Sequence, residues 1–187
     1  MTTEGFLNYL KENLDEKIDF KAWVYSPGLP ADVPVVQTEA LERVEKAARA
    51  FLDGLSPPAL VDEFETNQWT THHWNHFLRS FKNNLSPTQM KKLDDQFKFT
   101  RSRNSEITHD WMMLVIGSGY QAGFRRLEEF LTEQGRRKFL QPLYEKLATT
   151  PEGLERANLI YAKARPGYHA VSRQTIDKIL NYKPTGN

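Results

Sequence analysis

The chain has 187 residues, 39% apolar and 12% aromatic, enough to bury one sizeable core. Lys+Arg 25 against Asp+Glu 24 leaves a formal charge of +1 with no run of five like charges, so composition gives no support to a nucleic-acid or anionic-membrane surface. Absence of cysteine excludes disulfides, thiol catalysis and cysteine-ligated zinc; the longest apolar run, Trp111 to Ile116, is too short to span a bilayer, and Met1-Thr2-Thr3-Glu4 lacks a signal-peptide core. The expectation is a soluble, cytoplasmic protein.

Along the chain, Phe6, Leu7, Leu10 and Leu14 recur at helical spacing and predict one amphipathic helix within residues 1–25. The stretch Trp23-Val24-Tyr25-Ser26-Pro27-Gly28-Leu29-Pro30, with Pro34 beyond it, reads as extended. Pro27-Gly28 suits the two central positions of a type II turn, and the prolines stop helix continuation, so residues 26–37 are expected to be a linker. A helical domain over 38–182 and a short tail, 183–187, complete the expected organisation.

From Thr38 onward amphipathic helices follow one another, marked first by Leu41, Val44, Ala48 and Phe51, then by Trp74, Phe77, Leu78 and Phe81. Ser86-Pro87-Thr88-Gln89 is a capping box with proline at the first helical position, flanked by Leu85 and Met90 as a hydrophobic staple. The helix near Ser105–Ser118 is apolar almost all round and is expected to lie between layers. Gly135 reads as a helix stop, and Arg136-Arg137-Lys138 fall in the next first turn, where the helix dipole disfavours cations and favours anions. Phe139, Leu140, Leu143 and Leu147 form that helix's apolar stripe, Arg136 lies in its direction one turn ahead, and Pro142 predicts a kink or restart. Thr150-Pro151-Glu152 opens a helix with the stripe Leu154, Ala157, Ile160, Tyr161 and Ala164, and Val171, Ser172 and Ile176 repeat the staple arrangement. Roughly nine short helices joined by short loops predict an all-α fold, a superhelix of stacked helical hairpins of the HEAT or armadillo kind.

In His72-His73-Trp74-Asn75-His76, the outer histidines have the i, i+4 spacing of a zinc motif, but His73 stands where the general-base glutamate belongs. With Trp74 centring the apolar face, His72 and His76 are expected on the solvated side, and no metal site is assigned. No phosphate loop, nucleophile elbow or dinucleotide fingerprint occurs, and nothing in the spacing of His109, His169 and the carboxylates favours a catalytic centre. The chain alone is expected to be non-catalytic. An arginine directed like Arg136 needs an anionic partner: either an internal acid such as Glu133 or Glu106, or a bound carboxylate or phosphate aided by free helix-start amides.

Three stretches together, Trp23-x-Tyr25-Ser26-Pro27-Gly28-Leu29-Pro30, Asn104-Ser105-Glu106-Ile107 and Glu133-Gln134-Gly135-Arg136-x-Lys138-Phe139 with Pro142-Leu143, resemble the C-terminal helical domain of the leukotriene A-4 hydrolase family of zinc aminopeptidases. The resemblance runs from about Phe6 to Leu180. It implies a right-handed α-α superhelix, with residues 1 to about 25 similar to the closing helix of a catalytic domain that holds the zinc and is otherwise missing. It further implies that Arg136, assisted by Lys138, binds the carboxylate of a short peptide in the substrate tunnel. Partners are then that catalytic domain of the same polypeptide and the peptide, with no nucleic acid, no membrane and no cofactor in this chain. Thr108-His109-Asp110 and Arg137 depart from the family's pattern and put lipid epoxide hydrolysis in doubt. The alternative reading is a free-standing helical-repeat interaction module.

Overall fold

The computed structural model describes residues 2–14, 18–31, 33, 39–82 and 85–183, which fall into two units, 1–38 and 39–187. In the first unit, α1 (Thr3–Asn13) starts at Thr2, whose hydroxyl accepts from Gly5 N, and buries Leu7 alone. A second helix, α2 (Phe20–Tyr25), occupies part of the stretch expected to be extended. The Asp19 carboxylate caps it by accepting from Lys21 N and Ala22 N at 3.1 Å each, satisfying amides that the sequence pattern did not count. Gly28, at φ +80°, takes the left-handed conformation that the third position of a type II turn demands. Within the expected linker, residues 32 and 34–37, Pro34 among them, lie outside the described residues, as do residues 184–187 of the tail.

The second unit holds nine α-helices among its described residues: α3 (Glu39–Leu52), α4 (Pro57–Phe64), α5 (Thr71–Ser80), α6 (Pro87–Phe97), α7 (Ser105–Ser118), α8 (Gln121–Glu133), α9 (Arg137–Leu147), α10 (Pro151–Ala164) and α11 (Ala170–Ile179). No strand occurs among the described residues. The odd-numbered helices pack in series, α3 on α5, α5 on α7, α7 on α9 and α9 on α11. In a second layer α4 packs on α6 and α8 on α10, and the 3-10 turn Phe99–Arg101 touches α6, α7 and α8. This alternation makes the unit a stack of helical hairpins, because each short loop returns the chain to the other layer.

Helix α7 sits where the layers meet, touching α5, α6, α8 and α9, which accounts for its apolar girth. Trp111 is fully buried against Phe99, and its indole N–H donates to Thr100 Oγ1 at 2.9 Å. Gly119 (φ +66°) ends α7 in the left-handed region. Gly123 lets α8 approach, since a Cβ there would lie 2.5 Å from Val115 Cγ2. Ser86 caps α6 with its Gln89 partner, and Thr150 caps α10, as the sequence predicts.

Three local expectations change. Helix α11 begins at Ala170, one residue before the expected staple: the His169 ring caps it by accepting from Val171 N, and Ser172, 3% exposed, is turned inward to donate to Gly135 O. Helix α9 runs unbroken past Pro142, its buried face held by Phe139, Leu140, Leu143, Tyr144 and Leu147. Leu154 is exposed, so the buried stripe of α10 starts at Ala157.

Candidate functional site

Four helix N-termini stand side by side on the odd-numbered layer, tied by single hydrogen bonds. Asn104 Nδ2, at the head of α7, donates to Thr71 Oγ1 at the head of α5 (2.9 Å). Gln134 Nε2, before α9, donates to Ser105 Oγ at 3.2 Å, and Ser172 Oγ of α11 donates to Gly135 O at 2.9 Å. Each head carries partial positive charge from its unpaired amides, so the row favours an anion. The Asn104 side chain also accepts from Glu106 N at 3.0 Å, fixing the first turn of α7.

This juxtaposition brings together two of the three motifs separated in sequence, Asn104-Ser105-Glu106-Ile107 and Gly135-Arg136-x-Lys138. Helix α8 ends at Gln134, in extended conformation, rather than in a left-handed Gly135. Arg136 is the N-cap of α9 (φ −83°, ψ 115°). It is exposed rather than turned onto the buried stripe, because the helix proper begins one residue later and the N-cap backbone lies outside its periodicity. Neither Glu133 nor Glu106 pairs with it, and among the described residues Arg136 has no ion-pair partner. Lys138 forms the pair with Glu106 across α7 and α9, its ammonium 4.8 Å from the centre of the Phe139 ring.

Lys138 and Glu106 line an open cleft of about 700 Å³ whose other walls include Thr71, Asn75, Arg79 and Asn104. A buried network in its wall is not signalled by helical periodicity. Asp110, only 6% exposed, accepts from Arg79 Nε and Asn75 Nδ2, each at 2.8 Å, on one carboxylate oxygen. Its other oxygen accepts from His109 Nδ1 at 3.0 Å and Arg79 Nη2 at 3.4 Å. His109 Nε2 and Asn75 Oδ1 are buried without partners among the described residues. The available signal is an acid, Asp110, directly before the apolar run Trp111–Ile116, opposite Asn75 and Arg79 spaced i, i+4 on α5.

The three neighbouring histidines have separate duties. His73 is the reciprocal half of a capping box, its Nδ1 accepting from Thr70 N at 3.0 Å. His76 is partly buried and bonds Glu45 at 3.0 Å, while His72 is exposed; both reach the cleft. These donors do not fit zinc: among the described residues no group of three His, Asp or Glu side chains is placed to hold a metal ion.

The family described as "Leukotriene A4 hydrolase, C-terminal" matches residues 69–180. Aminopeptidase B of Mus musculus is 24% identical over 190 residues, a match covering 96% of this chain and 28% of that protein. Leukotriene A-4 hydrolase of Xenopus laevis is 25% identical over 185 residues, covering 93% of this chain and 29% of that protein. The solved structure of native yeast LTA4 hydrolase superposes with a TM-score of 0.77 at 22% identity, over 96% of this chain and 33% of that one, and so shares the fold. The chain thus spans a third or less of the length of these relatives.

Proposed function

The chain belongs to the leukotriene A4 hydrolase C-terminal family, and we propose that it is the substrate-orienting part of a cytoplasmic zinc aminopeptidase, non-catalytic by itself. Its work is to line the substrate tunnel and to hold the free carboxylate of a short peptide on Arg136, with Lys138 assisting. The observation that carries this reading is the state of Arg136: an exposed guanidinium without an acidic partner among the described residues, at the head of α9, beside a lysine that borders a cleft of about 700 Å³. Lys138 has three N–H donors, so it can remain on Glu106 while offering another to a ligand oxygen. Glu106 keeps the ammonium in place and lessens its surplus charge, which leaves Arg136 the stronger anion contact.

Arginine suits that role because its planar fork meets both oxygens of a carboxylate. Holding a short peptide by its far end sets which bond lies at the reacting metal, converting binding into register. Zinc and the reacting groups belong to the catalytic domain of the same polypeptide, consistent with relatives more than three times as long as this chain. The test is Arg136→Ala in the polypeptide that carries this chain. Tripeptide hydrolysis should lose about 10- to 100-fold in kcat/KM, the size of one charge-assisted hydrogen-bonded contact, while an aminoacyl arylamide with no free carboxylate keeps its rate. Equal losses on both substrates overturn the assignment.

A further inference from the structure

Arg79 is not part of the motif that carries the carboxylate assignment, yet it is the best-anchored cation in the same cleft. Its side chain is 63% exposed while the carboxylate that grips it is 6% exposed. Asp110 takes Nε at 2.8 Å and Nη2 at 3.4 Å, a forked grip that fixes the plane of the guanidinium. Asn75, 7% exposed, and His109 donate to the same carboxylate and fix it in turn. Of the five N–H donors of an arginine, two are used, and the other three have no protein partner among the described residues.

Arg79 stands where three clefts meet. It borders the cleft of Lys138 and Asn104, a second of about 340 Å³ with Glu45, Arg49, His76 and Lys82, and a third of about 300 Å³ with Lys82, His109 and Asp110. Every acid on these walls already has a cationic or potentially cationic partner: Glu106 has Lys138, Asp110 has Arg79 and His109, and Glu45 has His76 at 3.0 Å and Arg49 at 3.8 Å. Lys82 has no acidic partner among the described residues and adds to the surplus. The clefts around Arg79 therefore carry a positive excess.

We propose that Arg79, positioned by Asp110, is a second anion contact of the cleft and selects peptides carrying an acidic side chain in addition to the terminal carboxylate. This rests on the carboxylate-binding reading of Arg136 and Lys138, which supplies the first point of attachment. A bound peptide with its terminal carboxylate at Arg136 and Lys138, near the head of α9, runs through the cleft that Lys138 shares with Arg79 and places an internal glutamate or aspartate side chain at Arg79, in the last turn of α5.

The experiment titrates this chain at low ionic strength with two alanine tripeptides, one with a central glutamate and one with a central glutamine, each as free acid and as C-terminal amide. The glutamate free acid should bind about five- to tenfold more tightly than the glutamine free acid, the effect of one partly exposed charge-assisted contact. Because Arg79→Gln alone strands a buried carboxylate, the variant is the double change Arg79→Gln with Asp110→Asn, its fold checked by circular dichroism. In it the glutamate preference should fall to about one with binding of the glutamine peptide unchanged. A wild-type ratio near one, or a preference that survives the double variant, overturns the inference and leaves the carboxylate reading standing. Equal binding of free acid and amide overturns the carboxylate reading, and the glutamate-to-glutamine ratio of the amide pair then still decides the role of Arg79.

Discussion

Replacing Asp110 by asparagine keeps the size of the side chain and removes its charge, so the change isolates what the buried carboxylate does. The carboxamide oxygen can stay where Asn75 Nδ2 and Arg79 Nε converge at 2.8 Å, but its NH2 then faces His109 Nδ1, which donates at 3.0 Å in the native protein. Either two donors confront each other or the imidazole shifts its proton to Nε2, a buried nitrogen with no partner among the described residues. A hydrogen bond to a charged group contributes about 1.5–3 kcal/mol, and a stranded buried donor costs about 1–3 kcal/mol. The share of Arg79 is discounted because its side chain is 63% exposed and well solvated. The net expectation is a loss of about 2 kcal/mol, a Tm lowered by about 4–8 °C for a unit of this size. Asp110→Ala, which also leaves Asn75 and His109 without the carboxylate, should cost about 1 kcal/mol more. Urea unfolding followed by circular dichroism at pH 7 measures both. An asparagine variant within about 0.5 kcal/mol of wild type refutes the network's structural role, since that is the scatter of surface substitutions.

Gly123→Ala should lower stability by about 1–3 kcal/mol although alanine favours helix, because its methyl meets Val115 Cγ2 at 2.5 Å; chemical denaturation measures the balance. The Arg165 guanidinium, bonded at 2.9 Å on both carboxylate oxygens, holds the Asp177 carboxyl below its usual range. A depressed folded-state value means stability that is present above the unfolded carboxylate range and lost as pH falls through the folded value, so stability should decline more steeply below about pH 4 in wild type than in Asp177→Asn. At the alkaline end, burial aided by Asp94 pushes Tyr120 up to about 12, and burial pushes Tyr168 up to about 12 and raises Tyr144 and Tyr161. Raised folded values mean stability that is present below the unfolded tyrosine value near 10 and lost as pH rises toward 12. Tyrosinate absorbance at pH 11 should accordingly be incomplete in the native chain and rise on unfolding in urea.

Signals that depend on neighbours in sequence were read correctly where the local chemistry is self-contained. Ser86-Pro87-Thr88-Gln89 and Thr150-Pro151 close their caps with their own side chains, and the apolar circumference of residues 105–118 can only be satisfied between layers. Misreadings arose where a side chain answers to something distant or atypical. Asp19 caps a helix in a stretch whose prolines suggested extension, and a histidine rather than Ser172 caps α11 because Ser172 is engaged by the Gly135 carbonyl from another helix. Arg136 was located correctly at a helix head, but its outward direction follows from its being the N-cap, a one-residue distinction that periodicity does not resolve. The Asp110 network escaped notice because its donors come from α5 and α7, joined only by packing.

The measurement closest to the central claim is calorimetric titration of this chain with an alanine tripeptide and its C-terminal amide, in wild type and Arg136→Ala. If the head of α9 recognises a peptide carboxylate, the free acid binds at least about tenfold more tightly than the amide and the substitution removes that preference. The variant should meanwhile keep its stability within about 0.5 kcal/mol, since the native side chain is exposed and has no ion-pair partner among the described residues. Equal binding of acid and amide, or a preference that persists without Arg136, contradicts the account.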